Sequence, residues 1–384
     1  MFLKFLDFLS FLADGVRAID PRQLVMWLIG ATLIYLAIKK DYEPALLLPI
    51  GFGAILVNIP LSNMVDQDIP GFGPVKGIID FLFEKGIATE IFPLLLFVGI
   101  GAMIDFGPLL SNPKMLFFGA AAQFGIFGTL LVAVLLGFDI KDAASIGIIG
   151  AADGPTSIFV SQFFKSNYVG PIMVAAYSYM ALVPIIQPPA IKLVTTKKER
   201  LIRMPYEPRS VSKTTRILFP IGVSIVAGLI APSSLSLVGM LMFGNLIRES
   251  GVLESLSKSA QSELANLVTL LLGITIASRM QAKDFVTWQT LIIISLGLLA
   301  FIFDTIFGVL FVKFLNLFTK KKMNPMVGAA GISAFPMSAR VIHKIGLKED
   351  PQNFLLMHTV GANVAGQIAS VIAGGLIIYL VAGG

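Results

Sequence analysis

One aspartate lies among small residues and helix breakers inside otherwise apolar sequence. Asp153 stands within Gly150–Ser157, and Gly154 and Pro155 directly after it interrupt the hydrogen-bond ladder of a helix. An ionised carboxylate at mid-bilayer costs about 3 kcal/mol on insertion scales. Irregular backbone at that depth is tolerated only where protein or water surrounds it. This combination predicts an ion or substrate site centred on Asp153.

A second small-residue segment offers complementary groups. The segment Asn324–Arg340 carries the amide of Asn324, the hydroxyl of Ser333, freed carbonyls around Pro336 and the cation of Arg340. One carboxylate with neutral oxygen donors is the ligand set expected for Na⁺ or H⁺ rather than for a transition metal. Two alternatives stay open. Asn324 can cap a helix, and Arg340 can be a loop charge directed at lipid phosphates.

The composition predicts that both segments lie in a membrane. Of the 384 residues, 56% are hydrophobic and 14% are charged, and the mean hydropathy is +0.85. Soluble domains carry about 25% charged residues. The net charge of +6 lies mostly in loops, so it reports topology rather than nucleic-acid binding. With no cysteine and two histidines, thiolate chemistry and the usual zinc sites are excluded. We therefore expect an all-α polytopic membrane protein.

Apolar runs of about 20 residues predict the membrane spans. We expect them near 22–38, 43–60, 88–105, 114–137, 169–194, 215–231, 234–248, 263–279, 286–316 and 353–380. The Phe-rich start, residues 1–20, predicts an interfacial helix. The loop 195–216 carries seven Lys and Arg against two Glu, which predicts a cytoplasmic linker.

The second half of the chain repeats the first. Gly77–Leu82 aligns with Gly251–Leu256, and Gly150–Asp153 aligns with Gly328–Gly331, at a nearly constant offset. Small-residue interruptions at corresponding places in two halves are typical of a transporter-type site.

We therefore expect two repeats of about five membrane crossings, each with a re-entrant broken helical hairpin. The first repeat spans 21–194 with its hairpin near 142–163, and the second spans 217–384 with its hairpin near 324–345. An odd number of crossings in each half makes the repeats inverted. This arrangement is typical of elevator transporters.

Three further polar residues fall within predicted spans. Asp304 is the other intramembrane carboxylate, and it is either a second ion or proton site or a structural residue paired to a neighbouring helix. Asn363 lies opposite Tyr179–Pro184 in the repeat and is expected to line the site. His358 is expected to be a hydrogen-bonded core residue.

Four longer runs resemble the β subunit of sodium-translocating, biotin-dependent decarboxylases: Gly150–Phe159, Ala176–Ala181, Asn324–Arg340 and Asn353–Gly366. Complexes of that family decarboxylate oxaloacetate, methylmalonyl-CoA or glutaconyl-CoA. The resemblance implies a translocase subunit that decarboxylates carboxybiotin, exports Na⁺ and consumes a proton. It also implies partners: a biotin carrier subunit that holds the biotin, a carboxyltransferase subunit, a small single-span membrane subunit and further copies of the chain. The implied location is the cytoplasmic membrane of a prokaryote.

The resemblance also assigns residues. The essential membrane aspartate of the family falls on Asp153, and its paired tyrosines fall on Tyr177 and Tyr179. We expect the tyrosines to relay a proton with Asp153. The alternative is that they pack and hydrogen-bond a freed carbonyl.

The polar set of the second broken segment falls on Asn324, Gly328, Ser333 and Arg340. We expect the first three, with Asn363, to bind Na⁺ together with Asp153. Arg340 suits a carboxylate fork, so we expect it, with Asn324, to hold the carboxyl group of carboxybiotin.

A secondary carrier is the competing interpretation. A Na⁺-coupled carboxylate transporter or a Na⁺/H⁺ antiporter would share inverted repeats, broken hairpins and one essential aspartate. The physical pattern alone barely separates the two functions, whereas the extended motifs favour the decarboxylase subunit.

Overall fold

The computed structural model describes residues 15–69, 73–205 and 210–383. The predicted interfacial helix at residues 1–20 therefore lies mostly outside the described residues. In the first half, the helices and strands are α1 (Pro21–Lys40), α2 (Pro44–Val57), β1 (Gln67–Ile69), β2 (Gly73–Val75), α3 (Ile78–Leu82), α4 (Ile91–Met103), α5 (Gly107–Ser111), α6 (Leu116–Ala121), α7 (Phe124–Leu135), α8 (Ile140–Gly147), α9 (Gly154–Phe163) and α10 (Val169–Val194). In the second half they are α11 (Lys197–Arg200), α12 (Lys213–Ile230), α13 (Leu235–Ser250), α14 (Glu254–Ser259), α15 (Ala265–Ile276), α16 (Ala282–Phe285), α17 (Trp288–Phe318), α18 (Met337–Glu349) and α19 (Leu356–Ala382). The strands β1 and β2 pair antiparallel, with Asp68 opposite Pro74.

The expected polytopic helical architecture is confirmed. Among the described residues, seven helical stretches are long and apolar enough to cross a membrane, and the bent pair Ile78–Ile87 and Ile91–Met103 adds an eighth if the pair forms one span. Helices α2 and α13, at the predicted spans 43–60 and 234–248, have 14 and 16 residues. Both are shorter than the roughly 20 residues that a straight crossing requires.

Local sequence signals explain where the long helices begin and end. Helix α1 begins after Asp20, whose carboxylate accepts a hydrogen bond from the Arg22 backbone N–H (2.7 Å), and Gln23 completes the capping box. The helix ends at Lys39 and Lys40, whose charges complement the negative end of the helix dipole.

The described chain forms two compact units. The first unit combines the described part of Met1–Phe92 with Asn266–Leu291. Within it, α1 and α2 cross so closely that a Cβ on Gly30 would lie 2.6 Å from the Gly51 carbonyl oxygen. The side chain of Asn58 joins the two segments by donating to the Met280 carbonyl (2.8 Å).

The second unit comprises Pro93–Ala265 and the residues from 292 onward. It contains the main apolar core and both broken segments that the sequence singles out.

In the first broken segment, helices α8 and α9 form a hairpin around Asp153. A short 3-10 turn (Ile148–Ala151) follows α8, and Ala152 adopts a left-handed conformation with φ of 52°. At the end of this hairpin away from Asp153, which we call its open end, Asp142 accepts hydrogen bonds from the Ser166 hydroxyl (2.6 Å) and the Asn167 backbone N–H (3.1 Å). Both arms of the first hairpin therefore end at the same place.

The second broken segment folds in the same manner. A 3-10 turn (Pro325–Gly331) leads to a break and then to α18. At the open end, Asn324 and Asn353 both donate to the Arg200 carbonyl, at 2.9 and 3.0 Å. The arms of the second hairpin also end side by side.

Helix α10 connects the open ends of the two hairpins. At its N-terminal end, the Tyr168 backbone N–H donates to the Ser166 hydroxyl (3.1 Å). Just beyond its C-terminal end, Arg200 donates to the Thr195 carbonyl (2.7 Å). The 26 residues of α10 correspond to about 39 Å at 1.5 Å per residue. The open ends therefore lie at opposite ends of α10.

The tips of the two hairpins meet between these ends. The backbone N–H of Ser333 donates to the Ala151 carbonyl (3.1 Å). This contact places the break of the second hairpin directly against the break that precedes Asp153.

Candidate functional site

The carboxyl group of Asp153 is buried, with 3% of the residue exposed. Its Oδ2 atom accepts hydrogen bonds from the Thr156 hydroxyl (2.7 Å), the Ser370 hydroxyl (3.0 Å), the Gln367 amide (3.1 Å) and the Ser333 hydroxyl (3.3 Å). Each of these donors is neutral. A buried carboxylate held only by neutral dipoles retains a strong attraction for a small cation.

Three of these four groups, on Thr156, Gln367 and Ser370, were not predicted from the sequence. Thr156 lies in the first turn of α9, where its hydroxyl reaches back to the residue before the helix. Gln367 and Ser370 lie with Asn363 on one face of α19, at helical spacings of four and seven residues. That polar stripe on an apolar span was the signal that could have identified them.

Ser333 is the predicted partner that the fold brings to Asp153. Its hydroxyl contacts the carboxylate, and its backbone N–H binds the tip of the first hairpin. Both contacts follow from the meeting of the two breaks.

Asn324 and Gly328 lie elsewhere. Asn324 accepts a hydrogen bond from the Met326 backbone N–H (3.1 Å), so it caps the 3-10 turn, and its amide donates to the Arg200 and Ile202 carbonyls. Gly328 packs against α17, where a Cβ would lie 2.0 Å from the Gly308 carbonyl oxygen. The structure brings neither residue to the carboxylate of Asp153, and their contribution to Na⁺ binding stays a prediction without a supporting contact.

Two buried amide oxygens border the broken segment of the second hairpin. Asn363 donates to the Ile332 carbonyl (2.7 Å), whereas its buried Oδ1 has no hydrogen-bond partner among the described residues. Gln123 donates to the Gly331 carbonyl (3.4 Å), and no described residue donates to its buried Oε1. An unsatisfied buried acceptor costs about 1–3 kcal/mol. A bound cation would satisfy such oxygens.

The two tyrosines differ in their surroundings. The ring of Tyr177 lies against Gly154, where a Cβ would be 2.3 Å from Cζ, and its buried hydroxyl makes no hydrogen bond within the described part of the chain. The Tyr179 hydroxyl donates to the Ile294 carbonyl. The hydroxyl of Tyr177 is thus available for proton transfer beside the Asp153 segment. Tyr179 instead hydrogen-bonds a backbone carbonyl, which is the structural role given above as the alternative to proton relay.

Arg340 lies one turn into α18, after the second break, and its side chain is exposed. It makes no ion pair with any described residue. Its guanidinium can therefore receive an anion, although it does not contact Asp153 in this structure.

Asp304 and His358 are outside the Asp153 cluster. Asp304 is fully buried, and its Oδ1 accepts from the Gly125 backbone N–H (2.5 Å). Its Oδ2 faces Gly150, where a Cβ would lie 2.7 Å away. The His358 ring lies 3.3 Å from the Met204 carbonyl, as expected for a hydrogen-bonded structural residue.

Comparisons with known proteins agree on one family. The model of the family described as the Na⁺-transporting oxaloacetate decarboxylase beta subunit matches residues 22–381. The chain is 50% identical over 370 residues to the glutaconyl-CoA decarboxylase subunit beta of Acidaminococcus fermentans, a match that covers 96% of each chain. It is 46% identical over 402 residues to the methylmalonyl-CoA decarboxylase subunit beta of Propionigenium modestum, covering 99% of this chain and 100% of that one.

A third relative carries a different substrate name. The chain is 43% identical over 420 residues to the oxaloacetate decarboxylase beta chain 2 of Salmonella typhi, covering 96% of this chain and 97% of that one. With its apolar helices and bacterial relatives, the chain is a multi-pass membrane protein of a prokaryote. It belongs to the family of β subunits of Na⁺-transporting decarboxylases.

Proposed function

We propose that this chain is the membrane subunit of a decarboxylase Na⁺ pump. It decarboxylates carboxybiotin presented by a carrier subunit and couples that reaction to Na⁺ export and proton consumption. The observation that carries the proposal is the Asp153 carboxylate, buried where the tips of two broken hairpins meet. The relatives' names, which refer to three different decarboxylases, support the same role.

Asp153 and the hydroxyls around it form the proposed Na⁺ site. The hydroxyls of Ser333, Thr156 and Ser370 now donate to the carboxylate. Rotation of these hydroxyls would turn oxygen lone pairs toward a cation beside Oδ2. The buried Oδ1 of Asn363, which accepts no hydrogen bond from a described residue, is a further ligand for the same type of ion.

Tyr177 and Asp153 form the proposed proton path. Decarboxylation breaks the bond between the ring nitrogen and the carboxyl carbon, releases CO₂ and leaves on nitrogen an electron pair that takes up a proton. Tyr177 places at the Asp153 segment a hydroxyl that bonds to no other described residue, and this hydroxyl can pass a proton onward. Protonation of Asp153 removes the charge that retains Na⁺, so a bound proton and a bound Na⁺ exclude each other at this carboxyl group, and proton uptake is coupled to Na⁺ release.

Arg340 is the proposed partner of the substrate carboxylate. Its guanidinium is exposed and unpaired among the described residues, and it offers two parallel donors to a carboxylate. It lies on the helix that leaves the second break, so anion binding there can affect the hairpin whose tip contacts Asp153.

Two inverted repeats and an elevator-type motion complete the proposal. The open ends of the hairpins lie at opposite ends of α10, which is the arrangement that inverted halves would produce. In addition, a rare π-helical turn follows α3 at Phe83–Ile87 and follows α14 at Ala260–Leu264. These features support the repeat bounds 21–194 and 217–384. The biotin carrier, the carboxyltransferase, the small membrane subunit and further copies of the chain remain proposed partners.

A reconstitution experiment tests the function. The full chain, assembled with its complex in liposomes, should release CO₂ from a carboxylated biotin carrier only when Na⁺ is present, with ²²Na⁺ moving across the membrane in step. The secondary-carrier alternative requires a different result. Exchange of ²²Na⁺ for protons or a dicarboxylate in the absence of biotin would support that alternative and contradict our proposal.

A further inference from the structure

A cavity of about 660 Å³ opens in the second unit. The cavity is lined by residues of α6 and the loop before it, of the chain after α11, of the C-terminal end of α17 and the segment after it, and of the start of α19. Its volume is within the range of small-molecule sites, about 300–1,000 Å³.

The cavity has an apolar body and a cationic rim. Phe117, Phe118, Phe311 and Leu315 line the body. Lys114 and Lys321 belong to the lining, and neither ammonium group forms an ion pair with a described residue. The lining thus fits a compact ring system that bears one carboxylate, because the ring would bury apolar surface while the lysines bind the charge.

The apolar body of the cavity borders the second hairpin. Phe118 lines the cavity, and its carbonyl oxygen lies where a Cβ on Gly331 would be only 2.3 Å away. Gly331 is two residues from Ser333, whose hydroxyl contacts Asp153 (3.3 Å). One packed chain of groups therefore links an occupant of the cavity to the proposed Na⁺ site.

The cavity opens among basic residues. Arg203 lines the cavity and pairs with Asp350 (2.6 Å). Lys322 also lines it and belongs to the lysine run 320–322 that follows α17. Excess Lys and Arg mark the cytoplasmic side of a membrane protein, where a soluble carrier domain would approach.

We propose that this cavity is the docking site for the carboxylated ring presented by the carrier, with Lys114 and Lys321 binding its carboxylate. This inference rests on the proposed function and adds a location to it. Arg340 does not line the cavity, so docking there is separate from the contact that we assign to Arg340.

Cysteine protection tests the site, because the native sequence has no cysteine. The full chain would carry Thr319→Cys, at a residue that lines the cavity. Labelling by a maleimide would be measured in Na⁺-free buffer, where the proposed function predicts no decarboxylation of the probe. Two probes would be compared: carboxybiotin methyl ester, whose only charge is the ring carboxylate, and uncharged biotin methyl ester. We expect the carboxylated probe to protect the cysteine at a concentration at least tenfold lower. Phe318→Cys, next to it but 74% exposed, is the matched position that should stay unprotected.

Charge variants test the role of the lysines. In the Thr319→Cys background, Lys114→Gln and Lys321→Gln should each raise the half-protecting concentration of the carboxylated probe about tenfold, and Lys321→Arg should restore it. Equal protection by both probes, no protection, or no effect of either lysine would overturn the proposal. Protection that depends only on phosphatidylglycerol in the nanodisc would overturn it in favour of a lipid site. If these results are negative while Na⁺-dependent CO₂ release persists, the docking site is wrong and the proposed function stands.

Discussion

At the scale of single residues, Asp153 presents an electrostatic problem. A carboxylate buried in a low-dielectric region needs compensation, yet its contacts come from three hydroxyls and one amide rather than from a cation. Neutral dipoles stabilise the charge only partly. A site of this kind can therefore exchange a proton for a small cation with modest rearrangement.

Replacing Asp153 by asparagine should abolish Na⁺ binding and turnover together. The substitution keeps the shape of the side chain but removes its charge, and loss of one partner from a buried ion pair costs about 3–5 kcal/mol. We expect Na⁺ affinity to fall at least about 100-fold, as measured by ²²Na⁺ binding, with loss of CO₂ release. Asp142→Asn, in the same hairpin but at its open end, is the matched control and should retain Na⁺ affinity. Retained coupling in Asp153→Asn would refute the assignment.

Arg340→Ala should separate substrate use from cation binding. The guanidinium is the proposed partner of the substrate carboxylate, so we expect KM for the carboxylated carrier to rise about tenfold or more, which corresponds to about 1.4 kcal/mol. Na⁺ affinity should stay near the wild-type value. Lys344→Ala removes an exposed cation one turn further along the same helix and should change neither quantity. A matching loss of Na⁺ affinity in Arg340→Ala would show that Arg340 acts on the ion site.

The chemistry of the site could be predicted from the sequence only in part. The contact between Ser333 and Asp153 could be predicted, because the two residues lie in equivalent interruptions of the two halves and such interruptions together form the binding site in transporter folds. Asn324 shows the limit. An asparagine before a turn is equally suited to capping, and here its oxygen and its amide are both used by backbone groups. Gln367 and Ser370 lie more than 200 residues from Asp153 in the chain, so only the fold reveals that they meet.

At the scale of elements, glycines allow the second break to contact its neighbours. A Cβ on Gly331 would lie 2.3 Å from the Phe118 carbonyl oxygen, and one on Gly366 would lie 2.1 Å from the Gly331 carbonyl oxygen. Such distances leave no room for a methyl group. The tip of the second hairpin is therefore held between α6 and α19 by backbone contacts.

Gly331→Ala should loosen this tip. The added methyl group forces backbone apart, and overpacking of this kind typically costs about 1–3 kcal/mol. We expect a lower Tm for the purified protein in detergent and weaker Na⁺ binding, since Ser333 would move from Asp153. Gly222→Ala in α12 is the control, because a Cβ there meets nothing within 4 Å. That substitution should leave Tm unchanged or raise it slightly. Equal effects of the two substitutions would contradict the proposed role of close packing.

Element boundaries followed from the sequence where apolar runs were long and capped. The predicted span at 169–194 coincides with α10, and Asp20 and Pro21 mark the start of α1. The predicted span at 234–248 nearly coincides with α13 (Leu235–Ser250), whereas the one at 43–60 extends beyond both ends of α2 (Pro44–Val57). Apolar residues continue past α2 to Ile59 and Leu61 although the helix itself ends at Val57. Hydropathy reports burial in lipid or protein, and it does not report where helical hydrogen bonding stops.

At the scale of the molecule, the second unit is charged asymmetrically along α10. Near its C-terminal end, Arg200 pairs with Glu349 (2.8 Å) and Lys313 pairs with Glu199 (3.0 Å), whereas Lys197, Lys198 and Lys348 form no ion pair with a described residue. Near its N-terminal end, Asp139 caps α8 and Asp142 joins the arms of the first hairpin. The end with the excess of Lys and Arg fits a cytoplasmic surface, whereas at the other end Lys141 and Lys165 balance the two aspartates.

Single-cysteine labelling should place the two hairpins on opposite sides of the membrane. Lys141 and Lys165 are exposed at the open end of the first hairpin, and Lys348 is exposed at the open end of the second. In right-side-out vesicles, we expect a membrane-impermeant maleimide to label Lys141→Cys and Lys165→Cys directly. It should label Lys348→Cys only after permeabilisation, because the two open ends are about 39 Å apart along the 26 residues of α10. The parent chain, which has no cysteine, gives the background. Labelling of all three variants from one side would contradict the inverted arrangement. Labelling of Lys141→Cys from one side and Lys165→Cys from the other would show that the first hairpin crosses the membrane instead of being re-entrant.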